Sequence, residues 1–180
     1  MTKPSQDLDL TDAVALTQAM IRFDSVTPAQ SNIFDAHQSW LESLGFWVER
    51  PIFSDEDTPD VENLYARIGT GTPHLMYAGH VDVVPTGDDA LWSHPPFAAE
   101  IKDGLLYGRG TVDMKGGNGA FIAAVARFLK DNPQMGSISF LITGDEEGPA
   151  VNGSKKLLEW AKEKGEVWDH CLLGLSLIHI

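Results

Sequence analysis

Three short stretches carry side chains that could do chemistry. The apolar run Leu75-Met76-Tyr77-Ala78-Gly79 leads into His80-Val81-Asp82, an isolated Asp113 follows a glycine-rich segment, and a second apolar run ends in Asp145-Glu146-Glu147. Residues two apart on a strand share a face, so His80 and Asp82 are predicted to point the same way, with the carboxylate orienting the imidazole toward a metal. One imidazole, an isolated carboxylate and a glutamate pair are nitrogen and oxygen donors that suit zinc, cobalt or manganese. A carboxylate can bridge two such ions, and ions roughly 3.5–4 Å apart clamp a water and polarise a carbonyl. Of two adjacent glutamates, one can bind metal while the other accepts the proton of the water. Three successive carboxylates repel one another unless a cation neutralises them. A solvated acidic turn, or a non-catalytic module holding a structural metal, uses the same residues.

The intervening sequence supplies the elements that must position these groups. Leu10, Ala13, Val14, Thr17 and Ile21 recur at helical spacing up to about Arg22, with Thr11 or Asp12 as the cap. Ile33, Ala36, His37, Trp40, Leu41 and Leu44 predict a second helix stopped by Gly45, on which His37 is a face residue and not a ligand. Strands are predicted at Phe46–Arg50 and Asn63–Ile68, with the acidic stretch Ser54–Asp60 between them a solvated loop; it lacks the spacing of a calcium loop. Val84–Gly104 reads as a long ordered loop anchored by Trp92, Pro95, Pro96 and Phe97, with His94 a surface or packing residue. The glycines around Arg109 match no phosphate-binding pattern and instead let the chain bend around Asp113. A helix carrying Phe121, Ile122, Val125, Phe128 and Leu129 runs to Asn132-Pro133. Ser137–Thr143 is a strand, Asn152-Gly153-Ser154 opens a helix to about Lys164, and His170–Gly174 is a last strand. This alternation predicts an α/β fold, with helices on both faces of a mixed, mostly parallel sheet. Ligands in such sheets gather beyond the strand ends, where the candidate residues fall.

With 180 residues, 43% of them hydrophobic and 22% charged, the chain can bury a substantial core. A formal net charge of −13 argues against nucleic acid or an anionic membrane as partner. The one cysteine, Cys171, excludes an internal disulfide framework and a cysteine-based zinc site and reads as structural. No basic leader or apolar run of membrane-spanning length is present, and the expectation is a soluble, cytoplasmic protein.

Four longer stretches, Gly79–Pro85, Trp92–Phe97, Asp103–Gly116 and Thr143–Gly148, closely resemble the zinc aminoacylase/carboxypeptidase family of di-metal amidohydrolases. Within it the wording around Trp92–Phe97 and Thr143–Gly153 is most similar to the desuccinylases that convert N-succinyl-LL-2,6-diaminopimelate to succinate and LL-2,6-diaminopimelate. Deacylases of other N-acyl amino acids, such as acetylornithine, and carboxypeptidases are the alternatives. The resemblance implies a zinc-aminopeptidase-like catalytic domain, two divalent ions (zinc, or cobalt or manganese), a small N-acyl amino-acid substrate and a homodimeric parent. It implies that His80 binds one metal and that Asp82 orients His80. Asp113 bridges both ions, Glu146 is the general base and Glu147 binds the second metal. It also implies a cis peptide at Asp113-Met114.

One departure stands out. Where the family pattern has Gly-Glu-Pro-Ser after the last strand, this sequence has Gly174-Leu175-Ser176-Leu177, and leucine cannot coordinate a metal. The expectation is that residues 1–174 are the N-terminal part of the catalytic domain and 175–180 an atypical tail. The dimerisation lid and the C-terminal part of the catalytic domain would be absent, leaving the 180-residue chain inactive by itself. His179 is not expected to replace the missing ligand.

Overall fold

The computed structural model describes residues 8–29, 32–132 and 136–175. Its helices are α1 (Ala13–Ile21), α2 (Ile33–Ser43), α3 (Gly116–Asp131) and α4 (Ser154–Glu163). The strands are β1 (Trp47–Glu49), β2 (Ile52–Asp55), β3 (Thr58–Ile68), β4 (His74–His80), β5 (Glu100–Lys102), β6 (Leu105–Tyr107), β7 (Ser137–Thr143) and β8 (His170–Leu173). The main sheet has the order β1-β3-β7-β4-β8, with β2 also on β3. It is mixed: β4 runs parallel to β7 and β8, whereas β3 is antiparallel to β7, β1 and β2.

β7, at the centre, is buried along its whole length, and its alternating side chains feed two cores. Ile138, Phe140 and Ile142 pack with Leu16, Met20, Phe34, Leu41, Ile122 and Val125 from α1, α2 and α3. Leu141 faces the other way, with Tyr65 and Met76, onto Leu157 and Ala161 of α4. Helices thus cover both faces, and a period-2 strand between two apolar layers must be apolar on both sides.

The helix boundaries follow local chemistry. The Asp12 carboxylate accepts from the amides of Val14 and Ala15 at 2.9 and 3.0 Å, so Asp12 is the cap, and Leu10 packs on the core before the helix starts. Gly45, at φ +91°, takes the left-handed turn after α2 that a side chain disfavours. His37 is fully buried inside α2, with Nδ1–H donated to the Ile33 carbonyl at 2.8 Å.

Two loop expectations are corrected. Ser54–Asp60 is not a free loop: Ile52–Asp55 pairs with β3 in a hairpin with register Ile52↔Glu62, Phe53↔Val61 and Asp55↔Thr58. Its acidic side chains face water while Val61 is buried, so composition recorded exposure and not the lack of backbone pairing. The last residues of Val84–Gly104 also leave the loop, since Glu100–Lys102 pairs with Leu105–Tyr107. His94 packs on Tyr107 with ring centroids 4.2 Å apart and pairs with Glu100 at 2.7 Å, across that hairpin. Cys171 is exposed on β8. Pro133 and the 176–180 stretch with His179 lie outside the described residues. Among the described residues no helix is long and apolar enough to cross a membrane.

Candidate active site

β4 delivers His80 at its last position and β7 ends at Thr143, paired with His80 in the parallel register. The two strand ends therefore stop at the same edge, with His80 and Glu146-Glu147 emerging side by side. The third contributor, Asp113, comes from the turn Thr111–Lys115 leading into α3, where the Asp113-Met114 peptide is cis, as the resemblance implies. His80 Nε2, Asp113 and Glu147 offer donor atoms that all lie within 4.8 Å of one another. His80 Nε2 is 3.0 Å from Asp113 Oδ1 and 3.8 Å from Glu146 Oε2.

The ring of His80 is buried and held at both ends. Its Nδ1–H donates to the main-chain oxygen of Asp82 at 2.9 Å, while the Asp82 carboxylate lies at 3.5 Å. The sequence predicts that this carboxylate orients the ring; it faces Nδ1 at 3.5 Å, and the turn after β4 brings the Asp82 carbonyl closer still. The fully buried Asp82 carboxylate also reaches the next loop, accepting from the amides of Glu146 at 3.0 and 3.1 Å and of Glu147 at 2.9 Å. Asp82 thereby ties the histidine strand to the glutamate turn.

The electrostatics follow from this packing. Burial opposes the charged form of His80, but Asp82 and Asp113 more than offset it and raise its pKa to about 9. Burial likewise opposes charge on Asp82, yet the His80 ring and the two amides hold it below the ordinary carboxylate range. Glu147 is pushed up by burial first and then by the Asp113 charge. A cation among these groups would offset the upward push on Glu147, and one imidazole with two carboxylates is a donor set for zinc, cobalt or manganese.

The three successive carboxylates are not equivalent. Asp145 is buried, its amide donates to Thr143 Oγ1 at 3.1 Å, and its Oδ1 has no partner among the described residues. Glu146 is half exposed, with 51% of its side chain accessible, and stands free beside the His80 ring. Leu175, in place of the family glutamate, packs against the core cluster.

Several supporting residues escape sequence reasoning. Asn118 Nδ2 donates to the His80 carbonyl at 2.7 Å, and the Tyr77 hydroxyl donates to Asn118 Oδ1 at 2.8 Å, all three residues being buried. A signal for Asn118 exists in its spacing, because Asn118, Ile122 and Val125 form one inward stripe of α3 in which only Asn118 is polar. Lys115, also fully buried, carries no such signal. Burial depresses its pKa to about 7 against the opposing pull of Asp24 and Asp82. Arg109 lies over the Trp92 ring at 4.9 Å, holding the loop after His80 to the turn before Asp113.

Comparison with known proteins agrees with this architecture. Human carnosine dipeptidase 1 superposes with a TM-score of 0.77 at 24% identity over 93% of this chain and 39% of its own length. The M20 family metallo-carboxypeptidase Sso-CP2 from Sulfolobus solfataricus gives 0.73 at 21%, over 91% of this chain and 37% of its own. The dipeptidase Dug1p from Saccharomyces cerevisiae gives 0.69 at 20%, over 91% and 40%. At these identities the likeness is one of fold, and the chain spans about two fifths of the length of these proteins. The model of Peptidase family M20/M25/M40 matches residues 76–177, which takes in His80, Asp113 and the Glu146-Glu147 pair, and the chain belongs to that family.

Proposed function

We propose that this sequence carries one wall of a di-metal amidohydrolase centre, and that the enzyme built on it cleaves the succinyl amide of N-succinyl-LL-2,6-diaminopimelate. The observation that carries the reading is the convergence of His80, Asp113 and Glu147 within 4.8 Å beside a free Glu146. His80, Asp113 and Glu147 would hold the ions, with Asp113 between them. Zinc or cobalt bound there supplies Lewis-acid polarisation of the scissile carbonyl and a more acidic water.

The protein's own groups do the rest. Glu146, half exposed and 3.8 Å from the His80 ring, would take the proton of an attacking water and return it to the leaving amine. Asp82 holds the backbone that carries both glutamates, accepting from the Glu146 and Glu147 amides. The His80 Nδ1–H bond to the Asp82 carbonyl keeps Nε2 turned toward Asp113. The wording of Trp92–Phe97 and Thr143–Gly153 supports the succinylated substrate.

The test uses a protein of the relatives' length that contains this sequence, because Leu175 cannot complete the first metal site and the 180-residue chain is expected to turn over negligibly. Succinate release from N-succinyl-LL-2,6-diaminopimelate is compared with hydrolysis of N-acetylornithine and of dipeptides, with and without zinc or cobalt. Higher kcat/KM on the succinylated substrate supports the reading. Preference for dipeptides, which the structural neighbours are named for, reassigns the substrate and keeps the chemistry. Glu146→Gln should lower kcat about 10²–10⁴-fold and spare metal binding; unfolding of that variant would favour a structural metal module.

A further inference from the structure

The main chain of His80 finds its partners outside the sheet. β8 pairs with β4 in a parallel register that ends at Ala78↔Leu173, and the bond beyond it runs from the Gly174 amide to the Ala78 carbonyl at 3.1 Å. Two residues on, the N–H and C=O of His80 face the same side, as alternate residues of a strand do. Among the described residues neither meets β8. The His80 amide donates instead to Met114 Sδ at 3.3 Å, and its carbonyl accepts from Asn118 Nδ2 at 2.7 Å. Met114 follows Asp113 directly, and Asn118 lies in the first turn of α3. Two side chains from the segment that carries one candidate ligand therefore stand in for a strand beside the other.

This pair is itself held in place. The Tyr77 hydroxyl donates to Asn118 Oδ1 at 2.8 Å, which leaves the amide only one way round, with Nδ2 toward His80. Tyr77 in turn stacks on Phe121 of α3, with ring centroids 4.3 Å apart and planes 13° from parallel. Glycine is required where these groups crowd. A Cβ on Gly79 would lie 2.7 Å from Asn118 Oδ1 and 2.8 Å from Met114 Cε, and one on Gly174 would collide with the Tyr77 hydroxyl. Tyr77, His80, Met114 and Asn118 are all buried, so neither bond competes with solvent. We infer that Met114 and Asn118 are positioning residues of this centre: together they clamp the main chain of His80 to the Asp113 turn, and Tyr77 fixes the Asn118 amide. The His80 ring is thereby presented with Nε2 3.0 Å from Asp113 Oδ1. The consequence for metal rests on the metal centre proposed above; the clamp itself does not.

A floor that only adds stability would lower Tm and leave metal affinity as it was, whereas a clamp sets affinity too. The experiment uses the 180-residue chain with Asn118→Leu, which keeps the shape and removes both bonds, and Met114→Leu, a volume-conserving swap that removes the sulfur. Thermal unfolding checks that each folds. If Asn118→Leu does not, Tyr77→Phe/Asn118→Leu, which strands no hydroxyl, replaces it. Asp12→Ala, which destabilises through the cap of α1, is the control for lost stability. In metal-free Asn118→Leu the Val81 amide, bonded to Thr143 at 3.0 Å where β4 ends, should exchange with deuterium about five- to tenfold faster relative to the Ser137 amide, bonded to Pro73 at the far end of the sheet. Cobalt affinity should fall about tenfold or more in Asn118→Leu, less in Met114→Leu because sulfur is the weaker acceptor, and stay native in Asp12→Ala. Equal acceleration at Val81 and Ser137, or native cobalt affinity in Asn118→Leu, overturns the inference. If the unsubstituted chain takes up no cobalt, the metal-centre reading falls, and the exchange ratio alone decides the clamp.

Discussion

His37 should set how the stability of this fold responds to acid. The ring is fully buried in α2, its Nδ1–H is committed to the Ile33 carbonyl, and Nε2 has no partner among the described residues. Burial, aided by the Lys115 charge and opposed by the Ile33 bond, lowers its pKa from 6.5 to about 4. Because the folded pKa is depressed, the native state binds fewer protons than the unfolded chain between these values. Stability from this group is therefore complete above pH 6.5, falls as pH drops through the window, and is gone below about 4. A displacement from 6.5 to about 4 corresponds to roughly 3 kcal/mol in full, about 2 kcal/mol of which is lost between pH 7 and pH 5. That is a large share of the 5–15 kcal/mol typical of a folded domain, written as about 10 kcal/mol at the centre. The assay is urea unfolding of the native chain and of His37→Met at pH 7 and pH 5, both in chelator. The other titrating groups cancel in the difference between the two proteins. At pH 7 the variant loses the Nδ1–H bond to the Ile33 carbonyl, about 1 kcal/mol, and relieves the Nε2 acceptor that has no donor, so its net effect should be small. At pH 5 it should be the more stable by about 2 kcal/mol relative to its standing at pH 7. Parallel stability curves for the two proteins would refute the reasoning.

Other expectations concern the floor of the site. Asn118→Ala strands the buried Tyr77 hydroxyl and the His80 carbonyl, at about 1–3 kcal/mol each, and a denaturant midpoint with unchanged slope reads the loss. Gly79→Ala forces a Cβ to 2.7 Å from Asn118 Oδ1 and 2.8 Å from Met114 Cε; it should cost about 1–3 kcal/mol, and a Tm equal to that of the native chain would show that the floor yields freely. Asp12→Ala removes the acceptor for two amides of α1 and should lower stability by about 1 kcal/mol without touching metal uptake, as paired unfolding and cobalt titrations would show.

Much of this molecule was legible from the order of its residues. Helical spacing located the four α-helices of the described residues, and the alternation and β-branched content of Ser137–Thr143 identified a strand; that it is covered on both faces emerged from the fold. The same sequence placed His80 and the Glu146-Glu147 pair just beyond strands, and Asp113 in a glycine-bounded turn, because local patterns register local geometry. The Ile52–Asp55 hairpin partner of β3 was missed for the converse reason: backbone pairing leaves no mark on side chains that face water. What only the tertiary structure decided is the direction in which each buried polar group turns. The Asp82 carbonyl meets His80 through the local turn after β4, but where the Asp82 carboxylate goes depends on two segments remote in sequence meeting at one point. So does the route of Lys115 to Phe23. Such contacts are fixed by the need to satisfy every buried donor and charge at once, and that requirement acts on the folded chain and not on any stretch of it.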